Sequence, residues 1–140
     1  MDAPFWAHAH GAVVHFPVAL TFASAALDVA ALAFSARPFA RDLHAAGYWT
    51  MAGGAAGSVP AVVSGLMLTK GSLLGHGALR MHHLFAWPAF ALLIALATWR
   101  VGTGREVPRG RFMTYLAVVA LTAALVAGAG YWGGEMLAAS

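Results

Sequence analysis

The sequence predicts an all-α integral membrane protein, a bundle of four transmembrane helices. Of the 140 residues, 61% are hydrophobic and only 9% charged, and the mean hydropathy is +0.74. A soluble domain carries about 25% charged residues, so this chain lacks the polar surface to cover a core in water. The apolar residues fall into four long runs, not the short alternating segments of strands, and charge gathers in the connections. With no cysteine, the chain has no disulfides, thiolate zinc sites, iron–sulfur clusters or covalently attached c-type haem. Its net charge of +3 comes from eight scattered Lys and Arg. That pattern argues against nucleic acid as a partner and leaves the lipid bilayer as the first one.

Crossing the hydrocarbon takes about 20 mostly apolar residues as a helix. The first span covers about 11–36, with His15 and Asp28 as its only ionisable groups. The second covers about 45–69 and has none. The third is uniformly apolar only from Leu84 to Trp99, too short to cross. With Arg100 as its inner boundary, it extends outward to about 80–100. The fourth covers about 112–134, and the four spans make a single domain over 1–140. In the second span Gly53, Gly57, Ala61 and Gly65 form a stripe almost without side chains, which suits close helix packing or a flat slot for a planar cofactor. Close packing is the commoner use. Pro60 interrupts the same span.

Orientation follows from the cations. The first and third connections hold Arg37, Arg41, Arg100, Arg105, Arg109 and Arg111. The second holds only Lys70 and Arg80, while the termini offer Asp2 and Glu135. The positive-inside rule then places both termini and the second connection outside. The N-terminus lacks the basic region and cleavage site of a signal peptide, so the first span is expected to stay in the mature protein.

Seven histidines are distributed unevenly in this topology. His8, His10, His15, His76, His82 and His83 fall near the outer face, and His44 alone lies inside. His15 sits about a turn below the outer end of the first span, and His82 and His83 lie at a similar depth on the third. Two helices of like orientation thus present imidazoles in one leaflet, the arrangement that ligates a metal centre between helices. The outward N-termini of both helices disfavour imidazolium, so the rings stay neutral as a metal requires. Haem b would take one or two of these histidines, with Arg80 and Lys70 near its propionates. A copper or zinc ion would need three or four ligands, drawn from His10, His15, His82, His83, Glu135 and Met81. The plain alternative is histidines at the headgroup boundary, bonded to lipid, water and backbone.

Other residues have two readings as well. Asp28 reads either as a proton-relay or quinone-site carboxylate, or as an acid bonded to a neighbouring helix or to Arg37. The five tryptophans mostly mark span ends. Trp87, a turn after His83, is expected to pack or face lipid, with a pocket-lining role as the alternative.

The stretch from His10 to Leu20, HGAVVHFPVAL, resembles the HPxxVHFPIAL opening of domain of unknown function 2231, a family of small bacterial four-helix membrane proteins. The segment Gly130–Leu137, GYWGGEML, is similar to that family's GxxGGxLV close, and a histidine opening the third helix also fits. The resemblance implies four helices in a bacterial inner membrane. It also implies a redox role beside c-type cytochrome modules. By position it carries over His10, His15 and one of His82 and His83. Gly11 stands where the family usually has proline, and the glycine-rich tail usual in the family does not follow Gly134. The expectation is therefore a b-type cytochrome with haem near the periplasmic face. Its ligands would be His15 with His82 or His83, and His10 as a further candidate. It would pass electrons between the quinone pool and a periplasmic c-type cytochrome or dehydrogenase, as an electron carrier and not a stand-alone enzyme. The alternatives are a non-redox anchor or assembly subunit, and a periplasm-facing copper or zinc site.

Overall fold

Inside a bilayer no solvent hydrogen-bonds a bare amide, so each apolar run has to satisfy its own backbone as a helix. The computed structural model describes residues 3–104 and 108–138. Its elements are α1 (Ala3–Ala33), α2 (Ala40–Leu68), α3 (Gly77–Thr103) and α4 (Arg109–Ala138). All four are long and apolar enough to cross a membrane. Asp2 and Arg105, used above for orientation, lie outside the described residues.

Two helices extend beyond the apolar spans in a way that matters for the site. α1 begins at Ala3 instead of Gly11, so His8, His10 and His15 are all helical and Pro17 lies well inside the helix. Pro17 removes the amide that would bond the Val13 carbonyl, and the helix continues through it. Thr21 Oγ1 donates to the Pro17 carbonyl at 2.6 Å. α3 runs on past Arg100 to Thr103, so Arg100 is part of the helix and not its boundary.

The helices form a ring in chain order, each antiparallel to the next. α1 packs mainly along α2 and α3 along α4, while the α2–α3 and α1–α4 seams are smaller and alike. The glycine stripe makes the α1–α2 seam. Gly53 and Gly54 back onto Leu20 and Thr21, and Gly57 backs onto Phe16 and Pro17. Small residues let the backbones approach where lipid supplies no hydrophobic drive for helices to associate.

The second hairpin repeats the burial pattern of the first. Pro17, Thr21, Ser24 and Asp28 are buried on α1, and at the same spacing Ala89, Leu93, Leu96 and Arg100 are buried on α3. Gly47, Met51, Gly54 and Ser58 on α2 correspond likewise to Tyr115, Val119, Thr122 and Val126 on α4. Corresponding positions of the two halves meet at one end of the bundle, Asp28 with Arg100 and His44 with Phe112.

The strongest such meeting joins the diagonal helices. Arg100 Nη2 donates to Asp28 Oδ1 at 2.9 Å and Nη1 donates to Oδ2 at 3.2 Å, a bidentate pair. Neither side chain is more than 1% exposed. Nη2 also donates to the His44 carbonyl at 3.2 Å. The guanidinium lies over the rings of Tyr115, 4.8 Å from its centroid, and Phe112, 5.6 Å away. Of the readings of Asp28, the bond to a neighbouring helix is the one seen, while Arg37 is exposed in the 34–39 connection. Gly47 leaves room for the carboxylate, because a Cβ there would stand 2.5 Å from Asp28 Oδ1.

At the opposite end of the bundle, α2 closes with a Schellman turn. Gly71 N–H donates to Leu66 O at 2.8 Å and Lys70 N–H to Met67 O at 3.3 Å. Lys70 holds the left-handed position with φ 53°, where glycine is the usual residue. Trp87 Nε1 donates to Leu73 O at 2.7 Å, fastening the 69–76 connection onto α3. Trp87 therefore packs onto and anchors this loop.

Removing one partner of the Asp28–Arg100 pair leaves a buried charge alone, at a cost of about 3–5 kcal/mol. Asp28→Leu and Arg100→Met should each lower detergent-phase stability by that order, and the double variant should lose less than the sum. Chemical-denaturant titrations of the four proteins, followed by helical ellipticity, measure the coupling. Additive losses would mean that the pair contributes nothing as a pair.

Candidate functional site

The ion pair fixes the register of α1 against α3. Eighteen residues before its members stand two histidines, His10 before Asp28 and His82 before Arg100. Eighteen residues are five turns of helix, so each imidazole shares the inward face of its charged partner, about 27 Å along the bundle. His10 on α1 and His82 on α3 thus stand at corresponding positions, each five turns from its member of the ion pair.

Each ring is seated in the same way on its hairpin partner. His10 Nδ1 lies 2.9 Å from Ala61 O on α2 and 3.1 Å from Ser64 Oγ. His82 Nδ1 lies 2.8 Å from Ala129 O on α4. A carbonyl only accepts, so both rings carry their proton on Nδ1 and keep a lone pair on Nε2. One turn beyond each carbonyl is a glycine beside the ring. A Cβ on Gly65 would press to 3.1 Å from His10 Cε1, whereas one on Gly133 would be in ordinary contact, 3.6 Å from His82 Nδ1. Within the terminal double glycine, Gly133 is the one that borders the His82 imidazole. Gly134, by contrast, has open space where a side chain would stand.

His83 adds a third ring at this end. It is 93% buried by its residual exposure of 7%, and its Nδ1 has no hydrogen-bond partner among the described residues. Its ring centroid is 5.7 Å from that of His82 and 6.1 Å from that of Trp87.

The structure does not bring the remaining candidates here. His15 is exposed on the outer surface of α1, five residues and roughly 140° of helical rotation from His10. Its depth matches the expectation but its direction does not. Glu135 is exposed on α4. Among the described residues, no three His, Asp or Glu side chains converge as a metal-ion site. A bare copper or zinc ion needs three or four ligands at one point. His44, at the ion-pair end, packs its ring 4.8 Å from that of Phe112, its counterpart in the second hairpin.

Sequence reasoning missed Arg100 because it stands next to Trp99 at the end of an apolar run, where a boundary cation is expected. The available signal was the equal spacing of His10 to Asp28 and His82 to Arg100.

A family model described as "Predicted membrane protein (DUF2231)" matches residues 7–139. The chain belongs to the DUF2231 family. No curated protein and no solved structure matches it. The match takes in His10, the ion pair, His82 and Gly133, so in this DUF2231 protein the whole axis of polar contacts lies within the family domain.

If the two seats are as described, nitrogen-15 spectra of histidine-labelled protein should show His10 and His82 as Nδ1–H tautomers. Ser64→Ala should leave His10 in that tautomer, since the Ala61 carbonyl remains, and lower stability by about 0.5–1.5 kcal/mol. An Nε2–H tautomer at either residue would remove it from consideration as an Nε2 ligand.

Proposed function

We propose that the chain is a membrane-embedded b-type cytochrome that holds one haem between His10 and His82. One observation carries this reading. Two imidazoles at corresponding positions of the diagonal helices each give Nδ1–H to a carbonyl of the hairpin partner, which leaves Nε2 as a donor atom. Metal-ligating histidines are commonly oriented by such a bond from the other ring nitrogen. The donor set fits haem iron, which takes two axial imidazoles and no further protein ligand. Bound haem would supply a one-electron couple in an otherwise redox-silent chain.

The chain's own residues would do three things. Ala61 and Ala129 hold the ring orientations. Gly65 and Gly133 leave the space beside them. Arg80, exposed on the first turns of α3, offers a cation at the membrane surface for propionates. His83 is the nearest alternative to His82, since its buried Nδ1 is unpartnered. The electron would pass between quinone in the same leaflet and a periplasmic partner, a c-type cytochrome or a dehydrogenase, in a bacterial inner membrane. The end of the bundle that carries His10 and His82 would face the periplasm, together with both termini, because Arg37, Arg41, Arg109 and Arg111 lie at the other end.

A second reading has its own observation. Both histidine seats are complete hydrogen bonds between helices, so they also suit a non-redox anchor in which the rings serve packing alone.

The deciding measurement is the dithionite-reduced minus oxidised spectrum of protein produced with ample haem, with extracted haem quantified. About one haem b per chain is expected. His10→Ala and His82→Ala should each lose most of it, while His15→Ala and Glu135→Gln keep it. A colourless wild type, or loss on replacing His15 but not His10, would overturn the assignment.

A further inference from the structure

A groove of about 390 Å³ runs between α3 and α4 on the outside of the bundle at the ion-pair end. Ala95, Leu96, Trp99 and Tyr115 form its apolar walls, and Arg111 and Thr114 stand on α4 toward its mouth. Trp99 and Tyr115 stack at 5.3 Å and make one side rigid. Arg111 is exposed on the first turn of α4, the level at which a long cationic side chain reaches the headgroups.

We propose that this groove is a binding site for an acidic phospholipid, with an acyl chain between Trp99 and Ala95 and the phosphate on Arg111. The groove opens within a membrane-spanning segment, so its surroundings are lipid chains and not water. Charge selects among the lipids, because a basic side chain at the inner end of a cleft between helices favours an anionic headgroup. The start of α4 adds the positive end of its dipole on the same side. Trp99 lies seventeen residues from His82 along α3, about 25 Å, so the groove is separate from the proposed haem site and does not depend on it. Tyr115 links it to the ion pair, since its ring is both a groove wall and the surface over which Arg100 lies. An occupying lipid would therefore brace the contact that holds the four helices.

The test is retention of lipid by the purified full-length protein from an equimolar mixture of phosphatidylglycerol and phosphatidylethanolamine, read by native mass spectrometry. Wild type should keep phosphatidylglycerol at least threefold over phosphatidylethanolamine. Arg111→Gln should bring the two to parity with total lipid little changed. Ala95→Trp, which fills the groove, should reduce both. Arg109→Gln, a neighbouring cation outside the groove lining, should keep the preference. Circular dichroism and gel filtration confirm that each variant is folded, and haem content should be unaffected throughout. Equal retention by wild type, a preference that survives in Arg111→Gln, or one abolished equally by Arg109→Gln would overturn the proposal.

Discussion

The Asp28–Arg100 pair is the constraint on which the rest of the bundle depends. One guanidinium reaches all three other helices. It is bidentate to Asp28 on α1, bonded to the His44 carbonyl on α2, and laid over Tyr115 and Phe112 on α4. In lipid, exchanging one apolar contact for another gains little, so long uniformly apolar helices have little reason to choose a rotation or register. A buried charge does have a reason. Left alone it costs several kcal/mol, and the arrangement of these four helices satisfies it. The aromatic core of Met51, Leu93, Leu96, Phe112, Tyr115 and Val119 fills in around that fixed point.

The consequence appears at the far end. Once Asp28 faces Arg100, helical geometry brings His10 level with His82, five turns away on the same faces. The two seats then need only local features, a carbonyl and a glycine one turn apart on α2 and again on α4. Each half of the chain supplies one complete seat, and the ion pair sets them opposite each other. Coupling of this kind passes through rigid helices and not through a chain of side-chain contacts. A change at Asp28 would therefore act on the histidines by rotation or sliding of α1 against α3.

Four spans, the loop order and the grouping of histidines at one end were legible because hydropathy and charge report depth. Direction was not legible. Polar and apolar faces orient a helix in a soluble protein, but here both faces are apolar and the periodic signal vanishes. His15 and His10 differ little in depth and by more than a third of a turn in direction. The motif emphasised His15, and the fold turns His10 inward. Helix ends were hidden for a related reason, since α1 and α3 continue past the hydrocarbon limits that composition marks. The charge at position 100 was misread because a boundary arginine and a buried one look alike until a partner is found. Comparing the halves would have found it: His10 and Asp28 repeat the spacing of His82 and Arg100, and the Ala61–Gly65 step repeats as Ala129–Gly133.

That repetition constrains what can stand on the axis. Corresponding positions of two packed halves meet each other, so a charged residue there would meet its own kind if the halves were identical. Two aspartates or two arginines could not be buried together with both charged. The halves must differ at this level, and Asp28 opposite Arg100 is the solution in this chain. It also selects against either hairpin pairing with a copy of itself. Neutral imidazoles face no such prohibition. A like pair of histidines can remain at the other end. One end of the axis is thus forced to be unlike by electrostatics, and the other is free to stay alike.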